Sequence, residues 1–185
     1  MQLESIWQYP VKTMIGGLVL SAELDEIGIV GDRTWAVRDE EAGAIANTRK
    51  LGALMRLASA YGDGSSVTIT LPNGSRVSSD DPSVDEVLSA ELGRRVTLWQ
   101  RPEAEQLDFF RRAPFTGDDI MAELRDIFAR EEEEPLPDFS KFPEVSMEFE
   151  TPPGTLYDCY PLMIMSTSAL RSMSAAVPGS VIDVR

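Results

Sequence analysis

The sequence predicts an α+β fold, mainly antiparallel β, with a barrel-like sheet and about three helices. Three observations carry that expectation. Short β-branched and aromatic runs separated by Gly, Pro, Asn and Asp fill the first hundred residues. One hairpin is written out in full, VTITL-PNG-SRVS. Apolar residues switch to helical spacing in only a few places, most clearly in DPSVDEVLSAELG.

Taken in order, LESIWQYPV reads as a strand ending at Pro10, which lacks a backbone donor and suits an edge. Gly16-Gly17 permits a tight turn into a second strand, LVLSAEL. IGIVGDR turns into TWAVRD, where Trp35 and Val37 share a face at period two. AGAIANTRK reads as a return strand, and LGALMRLASA as a short amphipathic piece. In VTITL, Val67, Ile69 and Leu71 share one face, and Pro72-Asn73-Gly74 makes the turn into SRVS. The following helix takes Asp81 as N-cap, Pro82 in its first turn and Gly93 at its end, with Val84, Val87, Leu88 and Leu92 as its apolar stripe. RRVTLWQ is the next strand.

From Arg101 to Gly154 the chain is acidic and broken by prolines. It contains one helix, TGDDIMAELRDIFAREEEE, started by Thr116 and Asp119, with Ile120, Met121, Leu124, Ile127 and Phe128 facing inward. Glu131 to Glu134 read as a solvated face, and EPLPDFSKFPEVSMEFETPPGT as a long connection packed by its phenylalanines. YPLMIM reads as a short buried strand and STSALRSMSAAV as a helix with Leu170, Met173 and Val177 on one face, stopped by Pro178-Gly179. SVIDVR begins a further strand. The expected division is 1–100, 101–154 and 155–185.

Composition excludes several chemistries. Lys plus Arg number 17 against 31 Asp plus Glu, a formal charge of −14, which repels nucleic acid and anionic membranes. Histidine is absent and Cys159 is the only cysteine, so Cys/His zinc sites, imidazole catalysis and intrachain disulfides are out. Cys159 has no basic neighbour in sequence and reads as a small packing residue. No run approaches the roughly 20 apolar residues of a membrane span. MQLESIWQYP lacks the basic start and apolar region of a signal peptide, so a cytoplasmic location is the expectation. No catalytic or metal-ligating set is singled out.

In so acidic a chain, an anionic ligand needs a local cluster of cations, and the places of the few basic residues become informative. Lysine occurs only at 12, 50 and 141. Lys12-Thr13 sets an ammonium beside a hydroxyl, Arg33 follows a Gly-Asp turn, and Thr48-Arg49 repeats the pairing of hydroxyl and cation. Thr167 and Ser168 lie at a helix start, where free N–H groups favour negative charge. Each has a plainer reading: Arg33 paired with Asp32 or Asp39, and the hydroxyls as caps. Spacing alone does not show that the pieces meet.

YPVKTMIGG, GIVGDRTW, ANTRKLGALMRLAS and the tail YDCYPLMIMSTSALRSM together resemble the MOSC proteins, named after the C-terminal domain of molybdenum cofactor sulfurase. The first three resemble the family's N-terminal β-barrel domain and the tail the opening of its MOSC domain. The resemblance implies binding of the molybdenum cofactor, with Lys12, Thr13, Arg33, Thr48, Arg49, Thr167 and Ser168 around its phosphate. It further implies reduction of N-hydroxylated compounds with electrons from a partner redox protein; pyridoxal phosphate binding is a further expectation. Family members continue after DVR with cofactor-binding residues and a molybdenum-ligating cysteine. The chain stops at Arg185, so it reads as a shortened MOSC protein, inactive alone and able to pair as a homodimer. The rival expectation is a non-catalytic module that binds a phosphorylated ligand or a partner protein.

Overall fold

The computed structural model describes residues 2–62, 64–114, 120–128, 130–141, 148–158, 160–177 and 179. Its strands are β1 (Ile6–Gln8), β2 (Gly17–Val19), β3 (Leu24–Asp25), β4 (Gly28–Ile29), β5 (Trp35–Asp39), β6 (Ala44–Ile45), β7 (Ala58–Tyr61), β8 (Val67–Thr70), β9 (Arg76–Ser78) and β10 (Val96–Gln100). Its helices are α1 (Val84–Leu92), α2 (Leu107–Phe110), α3 (Ile120–Ile127) and α4 (Thr167–Ala176), with a 3-10 turn at Gly52–Arg56. All strand pairs are antiparallel: β1 with β2, β3 with β4, β10-β5-β6 and β7-β8-β9. The antiparallel α+β class is therefore as expected. The described strands do not close into one barrel; single parallel bridges, Val11 to Trp35 and Ile15 to Ala58, link them instead.

Those bridges build the centre of the molecule. Lys12 N donates to Trp35 O at 2.8 Å and Trp35 N to Pro10 O at 3.0 Å. On the other flank, Ile15 N donates to Leu57 O at 2.9 Å and Ser59 N to Ile15 O at 2.8 Å. The segment from Tyr9 to Ile15 thus satisfies its polar backbone against two neighbours, as a buried connection must.

Around it lies the main core: Val11, Met14, Val37, Leu54, Leu57, Val67, Ile69, Leu71, Val77, Leu88 and Val96, among others. The VTITL alternation is realised, with Val67, Ile69 and Leu71 all inward and β9 returning after the Pro-Asn-Gly turn. Strand β5 is buried on both faces, which its sequence periodicity does not announce. Val37 enters the main core, while Ala36 joins a second cluster with Ile45, Phe109, Phe110, Phe149 and Leu156. That cluster packs parts of the acidic region against β5 and β6.

Several local expectations are corrected. Helix α1 starts two residues later than a cap at Asp81 implies: the Asp81 carboxylate accepts from Ser83 N at 2.8 Å, forming a turn ahead of the helix. Gly93 ends it in the left-handed conformation, φ 65°, as anticipated. The return strand is confined to Ala44–Ile45, and residues 48–50 lie in a turn held by Lys50 N donating to Asn47 Oδ1 at 3.1 Å. On α3, Ile120 and Met121 are exposed and Leu124 and Ile127 only half-buried; Thr116 and Asp119 lie outside the described residues. YPLMIM is neither strand nor buried, with Ile164 at 93% exposure. No described strand pairs with it, so its apolar side chains have no sheet against which to bury. Met173 and Val177 of the following segment are exposed for the same want of a partner layer. Cys159 and SVIDVR fall outside the described residues.

Leu88 is fully buried in the main core. Leu88→Ala is expected to lower unfolding free energy by about 2–5 kcal/mol, read by urea denaturation. Met173→Ala, at an exposed position of α4, should change it by less than about 0.5 kcal/mol.

Candidate functional site

The turn carrying Arg33 is fastened on three sides. Asp32 Oδ1 accepts from Tyr9 N at 2.6 Å, and Arg33 N donates to Tyr9 O at 2.7 Å. The Tyr61 hydroxyl donates to Gly31 O at 2.6 Å and lies 2.5 Å from Thr34 Oγ1. Gly31 has φ +86°, a left-handed conformation that favours glycine, and a Cβ there would crowd Gln8 Nε2 at 2.9 Å. Burial pushes the Asp32 carboxyl up from its ordinary pKa, opposed by the Arg33 charge and the Tyr9 N–H. Burial also pushes the Tyr61 phenol up, so it remains a neutral hydrogen-bonding strut.

Backbone strain singles out two residues. Among the described non-glycine residues, only Thr13, at φ 69°, and Arg33, at φ 47°, have positive φ. For a β-branched threonine this conformation is a true outlier, and each such residue costs about 1–2 kcal/mol. Both belong to the set singled out in sequence, and the packing that tolerates them is the bridge network around residues 9–15. Strain concentrated in this way commonly marks a site where geometry is imposed for function. Thr13 Oγ1 donates to Lys12 O at 2.5 Å, so its hydroxyl currently braces the turn.

Lys12 is 4% exposed, an unusual state for a lysine. Its Nζ lies 2.5 Å from Asp158 Oδ1, across 146 residues of sequence. Arg33 is half-buried, with its guanidinium 3.2 Å from Asp32 Oδ2 and 6.0 Å from the Tyr9 ring centroid. The exposed Arg49 stacks its guanidinium 5.3 Å from the Phe128 ring centroid. Crowding by the protein pushes the Asp158 carboxyl up, but Lys12, by charge and hydrogen bond, then Arg49 and Arg33 by charge, hold it below the ordinary carboxylate range. Of the three, Lys12 contacts that carboxylate directly, whereas the Arg33 guanidinium rests on Asp32 and that of Arg49 on Phe128.

The remaining candidates are placed less centrally. Thr48 lies half-buried in the turn beside Arg49. Thr167 Oγ1 and its carbonyl accept from Arg171, and Ser168 Oγ lies 3.0 Å from Ser166 Oγ, which caps α4 by accepting from Ala169 N at 3.1 Å. No hydrogen bond or ion pair among the described residues links Thr167 or Ser168 to the three cations. Asp39, considered as a partner for Arg33, instead pairs with Arg94 at 2.6 Å. Sequence reasoning missed Asp158 and Tyr61. For Asp158 a signal existed: it is the only acidic residue between Glu150 and Asp183.

The family model described as the MOSC N-terminal beta barrel domain matches residues 1–106, more than half of the chain. A search of curated proteins finds no match. The matched region contains Lys12, Thr13, Arg33, Thr48, Arg49 and Tyr61, while Asp158, Thr167 and Ser168 lie beyond it.

Two outcomes follow from this geometry. The folded pKa of Asp158 lies below its unfolded value. The Lys12 pair therefore stabilises the protein above the unfolded carboxylate pKa, about 4, and that contribution is lost as pH falls through the depressed folded value. A carboxyl titration followed by NMR should show a depressed Asp158 midpoint that moves back up in Lys12→Gln; a midpoint indifferent to Lys12 would contradict the pairing. Thr13→Gly relieves a left-handed threonine but adds backbone entropy to the unfolded chain. It should leave stability within about 1 kcal/mol of wild type, measured by denaturation; a loss well beyond that would show that Thr13 is not strained.

Proposed function

The chain belongs to the MOSC N-terminal beta barrel domain family, and on that premise we propose that Lys12, Arg33 and Arg49 hold the phosphate of a molybdenum cofactor. The observation that carries the reading is a buried lysine ammonium, Lys12, met by an exposed carboxylate and set between the strained Thr13 and Arg33 turns, in a protein of net charge −14. A phosphate calls for this donor chemistry: a buried ammonium as a point charge, guanidinium forks and nearby hydroxyls. The residues present therefore fit the phosphate end of the cofactor. Thr13 and Thr48 join the set as hydroxyl donors adjacent to Lys12 and Arg49. Thr167 and Ser168 complete it in this reading, although their present hydrogen bonds are local.

When bound, the cofactor would supply a redox-active molybdenum centre. The residues of this chain act on its phosphate: Lys12 neutralises one oxygen from a position shielded from water, and Arg33 is aimed by the strained turn that Asp32 and Tyr61 hold. Of the two phosphate-bearing cofactors expected from the sequence, the molybdenum cofactor is the one put forward, because it is the one the family resemblance implies. Reduction of N-hydroxylated compounds, electrons from a redox protein, homodimer formation, a cytoplasmic site of action and the division at residues 100 and 154 belong to the same proposal. No helix among the described residues is long and apolar enough to cross a membrane.

Expression in a cofactor-producing host followed by molybdenum and pterin analysis tests the reading. Wild-type protein should retain both, and Lys12→Gln and Arg33→Ala should each weaken retention about 10- to 100-fold, the worth of one charge-assisted hydrogen bond. Protein that carries no pterin but is protected by a simple phosphate ester would instead indicate a module for a phosphorylated ligand.

A further inference from the structure

The acids around the central turn have distinct duties, and one of them holds only the Lys12 ammonium. Asp32 holds Tyr9 N, Asp39 accepts from the backbone of Glu41 and Ala42, and Glu150 accepts from Asn47 and pairs with Arg112. Asp158, among the described residues, bonds to Lys12 Nζ and to nothing else. Its side chain is 79% exposed while that of its partner is 4% exposed. A salt bridge built for stability would place both partners inside with their remaining hydrogen bonds satisfied, or leave both outside at little value. Here an exposed carboxylate stoppers a buried cation.

From this asymmetry we infer that Asp158 is an internal competitor for the anion site. Its carboxylate stands where an entering phosphate oxygen meets Lys12, so binding is an exchange: the phosphate takes Lys12, and Asp158 rotates into water. This deepens the cofactor-phosphate reading and rests on it. The exchange has two physical consequences. Lys12 keeps an anionic partner throughout, so the buried ammonium never bears the full cost of lacking a counter-charge. The exchange also sets selectivity. A monoanionic carboxylate offers Lys12 no more than Asp158 already does, whereas a doubly charged phosphate also engages Arg33 and Arg49 and so displaces it. Asp158 is thus a specificity-determining residue that does not itself bind the ligand.

Asp158 is exposed, so replacing it disturbs no core, and Asp158→Asn and Asp158→Ala serve as independent variants. Calorimetric titration with inorganic phosphate and, separately, acetate is run on wild type, both variants and Lys12→Gln. Both Asp158 variants should bind phosphate at least about tenfold tighter than wild type, since one charge-assisted competitor is gone. They should gain acetate binding that wild type lacks. Their melting temperatures should fall below wild type without anion and rise more than wild type's when phosphate is added. Unchanged phosphate affinity in both variants, with binding lost in Lys12→Gln, would overturn the inference and leave the anion site standing. Weaker phosphate binding in both variants would also overturn it, by making Asp158 part of the ligand's cradle. Binding in Lys12→Gln equal to wild type, or no phosphate binding in any protein, would overturn the anion site and this inference together.

Discussion

The backbone of residues 9–15 is shared between two neighbours, and the rest of the site depends on that sharing. Hydrogen bonds to Trp35 on one flank, and to Leu57 and Ser59 on the other, tie the first turn of the chain to the strand after the GDR turn and to the strand after the 3-10 turn. These bridges are parallel and only one residue long, so they are weak as sheet. Their strength comes from the core beneath, where Val11, Val37, Leu54 and Leu57 exclude water from them. The same packing holds Thr13 and Arg33 in conformations their side chains disfavour.

Charge then decides what this scaffold is for. A buried ammonium without a partner is a severe penalty. Lys12 is tolerated because Asp158 reaches it from a distant part of the sequence. Asp32 and Tyr61 serve the site indirectly, through the placement of Arg33 rather than through any ligand. In such a cluster, local geometry overrides the global field, which is how an acidic protein can hold an anion.

Much of this was legible in the sequence where the physics is local. Alternation placed Val67, Ile69 and Leu71 inward, Pro-Asn-Gly made the hairpin, and Gly93 stopped α1. Rarity singled out Lys12 and turn context Arg33 and Arg49, and the structure adds that Lys12 is buried and that Arg33 has positive φ. What was hidden depends on tertiary pairing. Asp158 lies 146 residues from Lys12, and no spacing rule connects them. Positive φ at a threonine and an arginine contradicts propensity, so sequence patterns argue against it. YPLMIM illustrates the opposite error: an apolar run reads as buried, but burial needs a partner layer, and none of the described strands provides one.

The central claim is that three cations far apart in sequence work as one anion site. Side-chain nitrogen NMR of Lys12, Arg33 and Arg49 during a phosphate titration tests it most directly. The account predicts that all three signals shift together along one binding curve, because a single phosphate touches all three. Shifts confined to exposed Arg49, or three curves with different midpoints, would contradict it.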